Sequence, residues 1–223
     1  MTDPIFQAAS YLERVCAEIS HLSEEVARAI SEQGFEIKLH DSNLVSDNQM
    51  SGLRYAFSYA VKRVFRNQKK NAQILLKFDL WRSDHPSDWP HAKEALLIVA
   101  YDADLVDGWD SEQLDVQADG RLERPDLVSE LHQRCDNRLL LWERRINDRS
   151  FARQAWYFGV RLCDIHDIND SQRMIVGPLV ALLRTPETAA EVLARAEAVV
   201  WPEHRTGGWP GGIDPSSNST ACL

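Results

Sequence analysis

Apolar and polar side chains alternate at the start of the chain with the spacing of one helical face, three and four residues apart. The apolar positions are Ile5, Ala8, Leu12, Val15, Ile19, Leu22, Val26 and Ala29. Asp3 can cap this helix, and Pro4 suits its first position because the ring already has a helical φ. Gly34 can adopt the left-handed conformation that ends a helix. The sequence therefore predicts a helix from about residue 4 to residue 33.

Two interpretations of this helix differ in what covers its apolar face. A strict heptad is typical of a coiled-coil seam in a homodimer, whereas a wider face is typical of a helix that lies on a sheet. One flank carries acids and the other carries small or apolar side chains: Glu18, Glu25 and Glu32 against Ala9, Cys16, Ser23 and Ile30. Complementary charges that would pair two copies are missing, so the sequence favours a helix on a sheet.

Five later segments have the composition and the alternation of strands: residues 35–40, 72–81, 94–102, 138–145 and 154–163. A short helix is predicted from Arg124 to Cys135, and a hairpin around Asp119 and Gly120. Apolar residues 174–183 contain Gly177 and Pro178, which predict either a strand followed by a helix or one kinked helix. Together these elements predict an α+β fold. Its antiparallel-rich sheet would have about five strands, with the long N-terminal helix and C-terminal helices packed on it.

Residues 52–70 form a basic-aromatic segment with six basic residues, four aromatic residues and no acid. Its apolar positions fit a helical face, at Leu53, Ala56, Phe57, Ala60, Val61, Val64 and Phe65. A strand alternation also begins at Leu53 but fails at Arg63 and Val64, so we predict a helix. Basic and aromatic side chains beside the apolar stripe can contact phosphates or a protein surface. The partner-binding candidates are Arg54, Tyr55, Tyr59, Lys62, Arg63, Arg66, Lys69 and Lys70.

Residues 102–119 form an acidic segment of opposite character. Residues 102–120 contain seven acids and no base. Opposite charges attract, so we expect the acidic and basic-aromatic segments to face each other, within one molecule or across a homodimer.

Composition sets wider bounds on the protein. The chain has 223 residues, a formal net charge of -9 and four scattered cysteines without a CxxC pair. Scattered cysteines suit reduced thiols, and no secretory signal or membrane-spanning stretch is visible, so we expect a cytoplasmic protein. We expect one α+β domain over residues 1–202, followed by a disordered tail over residues 203–223 that is rich in Gly, Pro and Ser.

A second candidate site follows the last predicted strand, in the polar residues 164–170. Carboxylate and imidazole groups can hold a divalent metal, and Asp164, His166 and Asp167 are the candidate ligands. With Asp79 from a neighbouring strand they would be the catalytic residues of a metal-dependent phosphodiesterase or nuclease. The competing interpretation is that Asn169 or Asp170 caps the next helix and that the other acids face solvent.

We therefore expect a non-catalytic binding or regulatory protein that needs no cofactor. It would engage a protein, or alternatively a nucleic acid, through the basic-aromatic segment and the acidic segment. The metal-dependent phosphodiesterase or nuclease is the alternative function.

Overall fold

The computed structural model describes residues 3–46, 52–62, 64, 71–82, 89–103, 115–116, 122–123, 131–142 and 151–202. Helix α1 spans Pro4–Glu32, as the apolar periodicity predicted. The Asp3 carboxylate accepts a hydrogen bond from the backbone amide of Ile5 at 2.8 Å, which confirms the predicted cap. Gly34 has a φ of +86°, the left-handed conformation expected just beyond the helix.

Seven strands form the main sheet, and every neighbouring pair that the structure describes in it is antiparallel. Their spatial order is β1-β2-β3-β4-β9-β8-β7. The strands are β1 (Glu36–Ser46), β2 (Gly52–Lys62), β3 (Ala72–Arg82), β4 (Leu96–Asp102), β7 (Leu131–Arg134), β8 (Leu139–Trp142) and β9 (Ala155–Arg161). Two short strands, β5 (Asp115–Val116) and β6 (Leu122–Glu123), pair separately. The predicted α+β class is confirmed, with seven strands in the main sheet instead of about five.

The predicted helix over residues 52–70 is wrong in its first part, because residues 52–62 are the inner strand β2. Alternate side chains of this strand enter two different cores. Phe57, Tyr59 and Val61 pack in the core under α1, whereas Ala56 packs in the core on the other face. A strand that is buried on both faces has apolar side chains on both, so its sequence does not alternate between apolar and polar residues. Such a run of apolar residues also fits a helical face.

The segment between β4 and β9 contains one confirmed and one wrong prediction. Val116 pairs with Leu122, so the hairpin predicted around Asp119 and Gly120 is confirmed. The predicted helix ending at Cys135 is wrong where the structure describes it, because residues 131–134 form β7. A turn with positive φ at Cys135, Asp136 and Asn137 joins β7 to β8.

Three helical segments follow β9 without a strand between them. They are α2 (Ile168–Ser171), a π-helical turn (Gln172–Val176) and α3 (Gly177–Arg184), and α4 (Ala189–Arg195) comes after a 3₁₀ turn. The alternative of one irregular helix through Gly177 and Pro178 is therefore the correct one. The wider π-helical turn lies where the proline ring would clash with a regular preceding turn.

Each face of the sheet carries a core. The first core joins the sheet to α1 and to the C-terminal helices, through residues such as Val26, Phe158 and Leu179. The second core lies on the other face and includes Trp89 and Trp201. The sheet thus fixes the position of α1, whose N-terminal end forms part of the candidate site.

Candidate binding groove

Helix α1 is packed only along its C-terminal half. Its buried residues are Ile19, Ser23, Val26, Ala29 and Ile30. In the N-terminal half the apolar side chains are exposed: Ile5 by 79%, Phe6 by 64%, Tyr11 by 70% and Leu12 by 37%. The apolar seam therefore continues past the part of the helix that the core covers.

Contacts with β2 hold the covered half of α1 in place. The Tyr59 hydroxyl donates to the carbonyl oxygen of Ser23 at 3.2 Å and also contacts the Ser23 hydroxyl. Burial raises the pKa of Tyr59 above its ordinary value, because the phenolate would lose its hydration. This polar contact is enclosed by apolar packing, so it fixes both the position and the rotation of the helix.

An open groove of about 860 Å³ lies beside the uncovered half of α1. One wall is α1 itself, through Leu12, Val15 and Leu22. The floor and the other wall come from the sheet end where β3 stops and β4 begins, and from the chain after β9. Their apolar side chains are Leu80, Ala95, Leu162, Ile165 and Ile168. The lining is mainly apolar, as in binding sites for apolar ligands and peptides.

Polar groups of mostly acidic character edge this groove. Glu18 and Glu25 approach it from α1, together with His21, and Asp167 approaches it from the residues before α2. The charge of Glu25 is partly neutralised by Arg28, with which it forms an ion pair. Cys163, an exposed residue, also lines the groove, and partial desolvation and the neighbouring Asp164 raise the pKa of its thiol. A protonated thiol is a weak nucleophile.

A charged network fixes the chain where it leaves β9. Arg161 binds Asp164 at 2.6 Å and approaches Glu94 at 3.6 Å, and His91 contacts the same glutamate at 2.6 Å. The hydrogen bond that Arg161 donates to the Asp164 carboxylate raises the pKa of Arg161 further, so the guanidinium keeps its charge. The network orients the groove wall formed by residues 162–168.

The candidate metal ligands of residues 164–170 have structural contacts instead of a shared centre. Asp164 binds Arg161, and the Asp167 carboxylate caps α2 by accepting from the amides of Asn169 and Asp170 at 2.8 and 2.9 Å. His166 is exposed, and its backbone amide donates to the Asp170 carboxylate at 3.1 Å. The residues that the structure describes include no group of three His, Cys, Asp or Glu side chains placed to hold a metal ion.

Asp79, the fourth candidate of the metal hypothesis, is buried in β3. Its carboxylate lies 3.4 Å from the ammonium of Lys77, which is also buried. Two buried opposite charges at this distance attract each other and offset part of the cost of their burial. The structure therefore gives Asp79 a structural contact inside the sheet.

The partner-binding candidates of the basic-aromatic segment fall in different environments. Tyr59 is only 5% exposed, so the exposure expected for it is wrong. Tyr55 is half-buried with its ring 4.9 Å from that of Phe57. Lys62 is exposed and pairs with Glu36 at 3.0 Å. The structure describes Arg54 only as strand backbone, and the candidates outside the described residues are Arg63, Arg66, Lys69 and Lys70.

The sheet brings the end of the basic-aromatic segment close to the start of the acidic segment. The basic-aromatic segment leads into β3, and the acidic segment begins at the end of β4. Gln73 and Asp102 are direct partners in the β3–β4 register. The entry into β3 and the exit from β4 therefore lie at one end of the sheet, opposite to the end that carries the groove. That the two segments face each other stays a prediction, because residues 65–70 and 104–114 lie outside the described residues.

The sequence did not reveal the groove, although two signals pointed towards it. The apolar positions of α1 begin at Ile5, and residues 4–12 contain no charged side chain. The periodicity alone favours a helix that packs on the sheet along its whole length. The groove also needs Leu80, Ala95 and Leu162, which are distant in sequence and meet only because β3, β4 and β9 are neighbours.

Comparisons of the chain with protein-family models, with curated proteins and with solved structures find no match. Within the described ranges, no helix has the length and the apolar content that crossing a bilayer requires.

Proposed function

We propose that this protein is a non-catalytic binding protein that holds an amphipathic helix of a protein partner in the groove beside α1. The observation that carries the proposal is the continuity of the groove with the uncovered seam of α1. Tyr11 and Leu12 belong to both, and Ile5 and Phe6 extend the same apolar surface beyond the groove. Exposed apolar surfaces of this extent, bordered by polar groups, are typical of sites that bind another protein.

The spacing of the wall favours a helix as the bound element. Leu12, Val15, Ile19 and Leu22 recur three and four residues apart and span about 15 Å along α1, at a rise of 1.5 Å per residue. A helix that packs beside this wall would present its own apolar side chains at the same spacing. An extended peptide would instead require a free strand edge, and the groove is bordered by helix and by strand ends.

The charged side chains at the border of the groove limit the charges that a partner helix can carry. Glu18 and Asp167 are acidic, and Glu25 already has Arg28 as a counterion. A partner helix with several acids on its flank would be repelled. We therefore expect its flanks to be uncharged or basic. The proposal retains the cytoplasmic location and the regulatory role expected from the sequence.

The basic-aromatic segment is a second surface in this proposal, with a protein preferred over a nucleic acid. Base stacking would require exposed aromatic rings, whereas Phe57 and Tyr59 belong to the first core. The acidic segment starts at the end of β4, beside the first residues of β3, and would repel phosphates. Replacement of Arg63 and Arg66 by Ser together tests this surface separately from the groove.

No observation favours the metal-dependent alternative over the binding function. Asp164 and Asp167 are already bonded to Arg161 and to backbone amides, and Asp79 lies against Lys77. The contacts of these carboxylates are those of caps and ion pairs.

A site-specific photo-crosslinker tests the proposed function in the native cells. Benzoylphenylalanine in place of Tyr11, which is exposed and lines the groove, should give a covalent adduct with another polypeptide chain. The matched control is the same substitution at Leu39, which is exposed on β1. Polypeptide adducts that are no more abundant at position 11 than at position 39 would contradict the proposal. The R63S/R66S change should leave the adduct at position 11 unchanged.

A further inference from the structure

We infer that the amphipathic helix bound in the groove is the N-terminal half of α1 from a second copy of this chain. The inference rests on the groove of the proposed function and names its occupant. Two copies would pair antiparallel about a two-fold axis, so that each uncovered helix end lies in the groove of the other copy. Such an interface is closed, because the same contact is made twice and leaves no further surface to extend.

The composition of the uncovered helix end supports a helix that is covered in its functional state. Residues 4–12, PIFQAASYL, carry no acid and no base, although helices that project into water usually have charged faces. Tertiary packing supplies most of the stability of a helix in a protein, but Ile5, Phe6 and Tyr11 would be exposed in a single copy. A partner chain that covers this end of the helix would bury these side chains and supply the tertiary packing.

The groove and the helix end match in register when two copies run antiparallel. If Leu12 of one copy lies opposite Val15 of the other, the heptad places Ile5 opposite Leu22. Both pairs are related by the same axis, so Val15 and Leu22 of the first copy are covered as well. Ile5 and Leu12 are the exposed seam residues, and Val15 and Leu22 are the half-buried groove residues that need a neighbour.

Burial selects the antiparallel arrangement over the parallel one. Parallel helices in register would need Ile19 and Val26 of both copies in the shared seam, and these side chains are buried in the core of their own copy. In the antiparallel register the flank of Glu18 faces Tyr11 of the other copy, which is uncharged. The uncharged residues 4–12 therefore meet the acidic border of the groove without repulsion.

Disulfide trapping between two differently labelled chains tests the register directly. One chain carries Ile5→Cys and the other carries Leu22→Cys, each with Cys16, Cys163 and Cys222 changed to Ser. After mixing and mild oxidation, we expect a disulfide-linked pair from the mixture and none from either chain alone.

A second measurement follows the mass of the protein by sedimentation from micromolar to near-millimolar concentration. We expect a dimer, and Leu12→Glu should raise its dissociation constant by about 100-fold or more because the change occurs twice in the interface. The matched control Leu39→Glu introduces the same charge on exposed β1 and should leave the constant unchanged. Circular dichroism of both variants should match the unchanged protein, since both side chains are exposed.

Each of the following results would overturn the inference. A disulfide from the Ile5→Cys chain alone would show parallel helices, and a monomer at every concentration would show no self-association. Equal effects of Leu12→Glu and Leu39→Glu would place the interface elsewhere. An adduct of benzoylphenylalanine at position 11 with a different protein would overturn the second copy as occupant while leaving the proposed function intact. The absence of any adduct at position 11 would contradict both the second copy as occupant and the proposed function.

Discussion

The Tyr59 hydroxyl of β2 donates a hydrogen bond to the carbonyl oxygen of Ser23 of α1 at 3.2 Å, inside the core between helix and sheet. It also contacts the Ser23 hydroxyl, so two polar groups from distant parts of the chain satisfy each other. This contact lies within the covered half of α1, one turn after Ile19, the first buried residue of the helix. The groove exists because α1 is held firmly at Ser23 and continues beyond the sheet.

Tyr59→Phe should therefore destabilise the protein although it keeps the ring. The buried Ser23 hydroxyl would lose its partner, and the free energy of unfolding should fall by about 1–3 kcal/mol. Tyr11→Phe is the matched control, because that hydroxyl lies on an exposed side chain, and its effect should stay within about 0.5 kcal/mol. Urea denaturation of both variants measures the difference. Equal stability of the two would show that the Tyr59 hydroxyl contributes nothing.

The same tyrosine should make stability depend on alkaline pH. Burial raises the pKa of Tyr59 above the value of about 10 that an unfolded chain has. Below pH 10 both states keep the proton, so the contribution is fully present. Above pH 10 the unfolded state releases the proton first, and stability falls until the folded pKa is passed. In Tyr59→Phe this alkaline loss should be smaller than in the unchanged protein, and an identical pH profile would refute the assignment.

The elements that local signals define were predictable from the sequence. Asp3, Pro4 and Gly34 act within a few residues of the ends of α1, so its limits were nearly correct. β2 was not predictable in the same way, because its two buried faces depend on sheets and helices far away in sequence. Ala56 and Phe57 point into different cores, and an apolar pattern on both sides fits a helix as well as a strand.

The candidate sites depended even more on tertiary structure. The acids near Asp167 form a dense cluster in the sequence, but their geometry assigns them to a helix cap and an ion pair. The groove has no dense cluster of chemical groups at all. Leu12, Leu80 and Leu162 are ordinary core residues in a linear pattern, and only the end of the sheet beside α1 brings them to one surface.

Trp201 should be essential to the fold, although it lies close to the end of the described chain. Its ring stacks on Trp89 at 5.6 Å, its indole donates to the Arg138 carbonyl oxygen at 3.2 Å, and its backbone amide donates to the carbonyl oxygen of Asn137. Trp201→Ala should lower the free energy of unfolding by about 3–5 kcal/mol. Deletion of residues 203–223 should leave the melting temperature unchanged. Calorimetry of both variants would contradict this account if the deletion destabilised more than the substitution.

Asp167 should contribute through its cap on α2 and not through a metal. Asp167→Ala should destabilise the protein by about 0.5–2 kcal/mol, because the amides of Asn169 and Asp170 lose their acceptor. His166→Ala should stay within about 0.5 kcal/mol, since the side chain is exposed. Thermal melts with Mg²⁺, Mn²⁺ or Zn²⁺ decide between the two roles. A metal-induced rise in melting temperature that both substitutions abolish would favour the metal hypothesis.

Hydrogen exchange along α1 tests most directly whether its uncovered half is bound by another chain. At high protein concentration, amides of residues 5–14 should exchange almost as slowly as those of residues 19–30, because a partner helix covers them. Dilution, or Leu22→Glu in the groove, should speed exchange in residues 5–14 more than in residues 19–30. Fast exchange of residues 5–14 at every concentration, beside slow exchange of residues 19–30, would contradict the pairing of two copies through this helix.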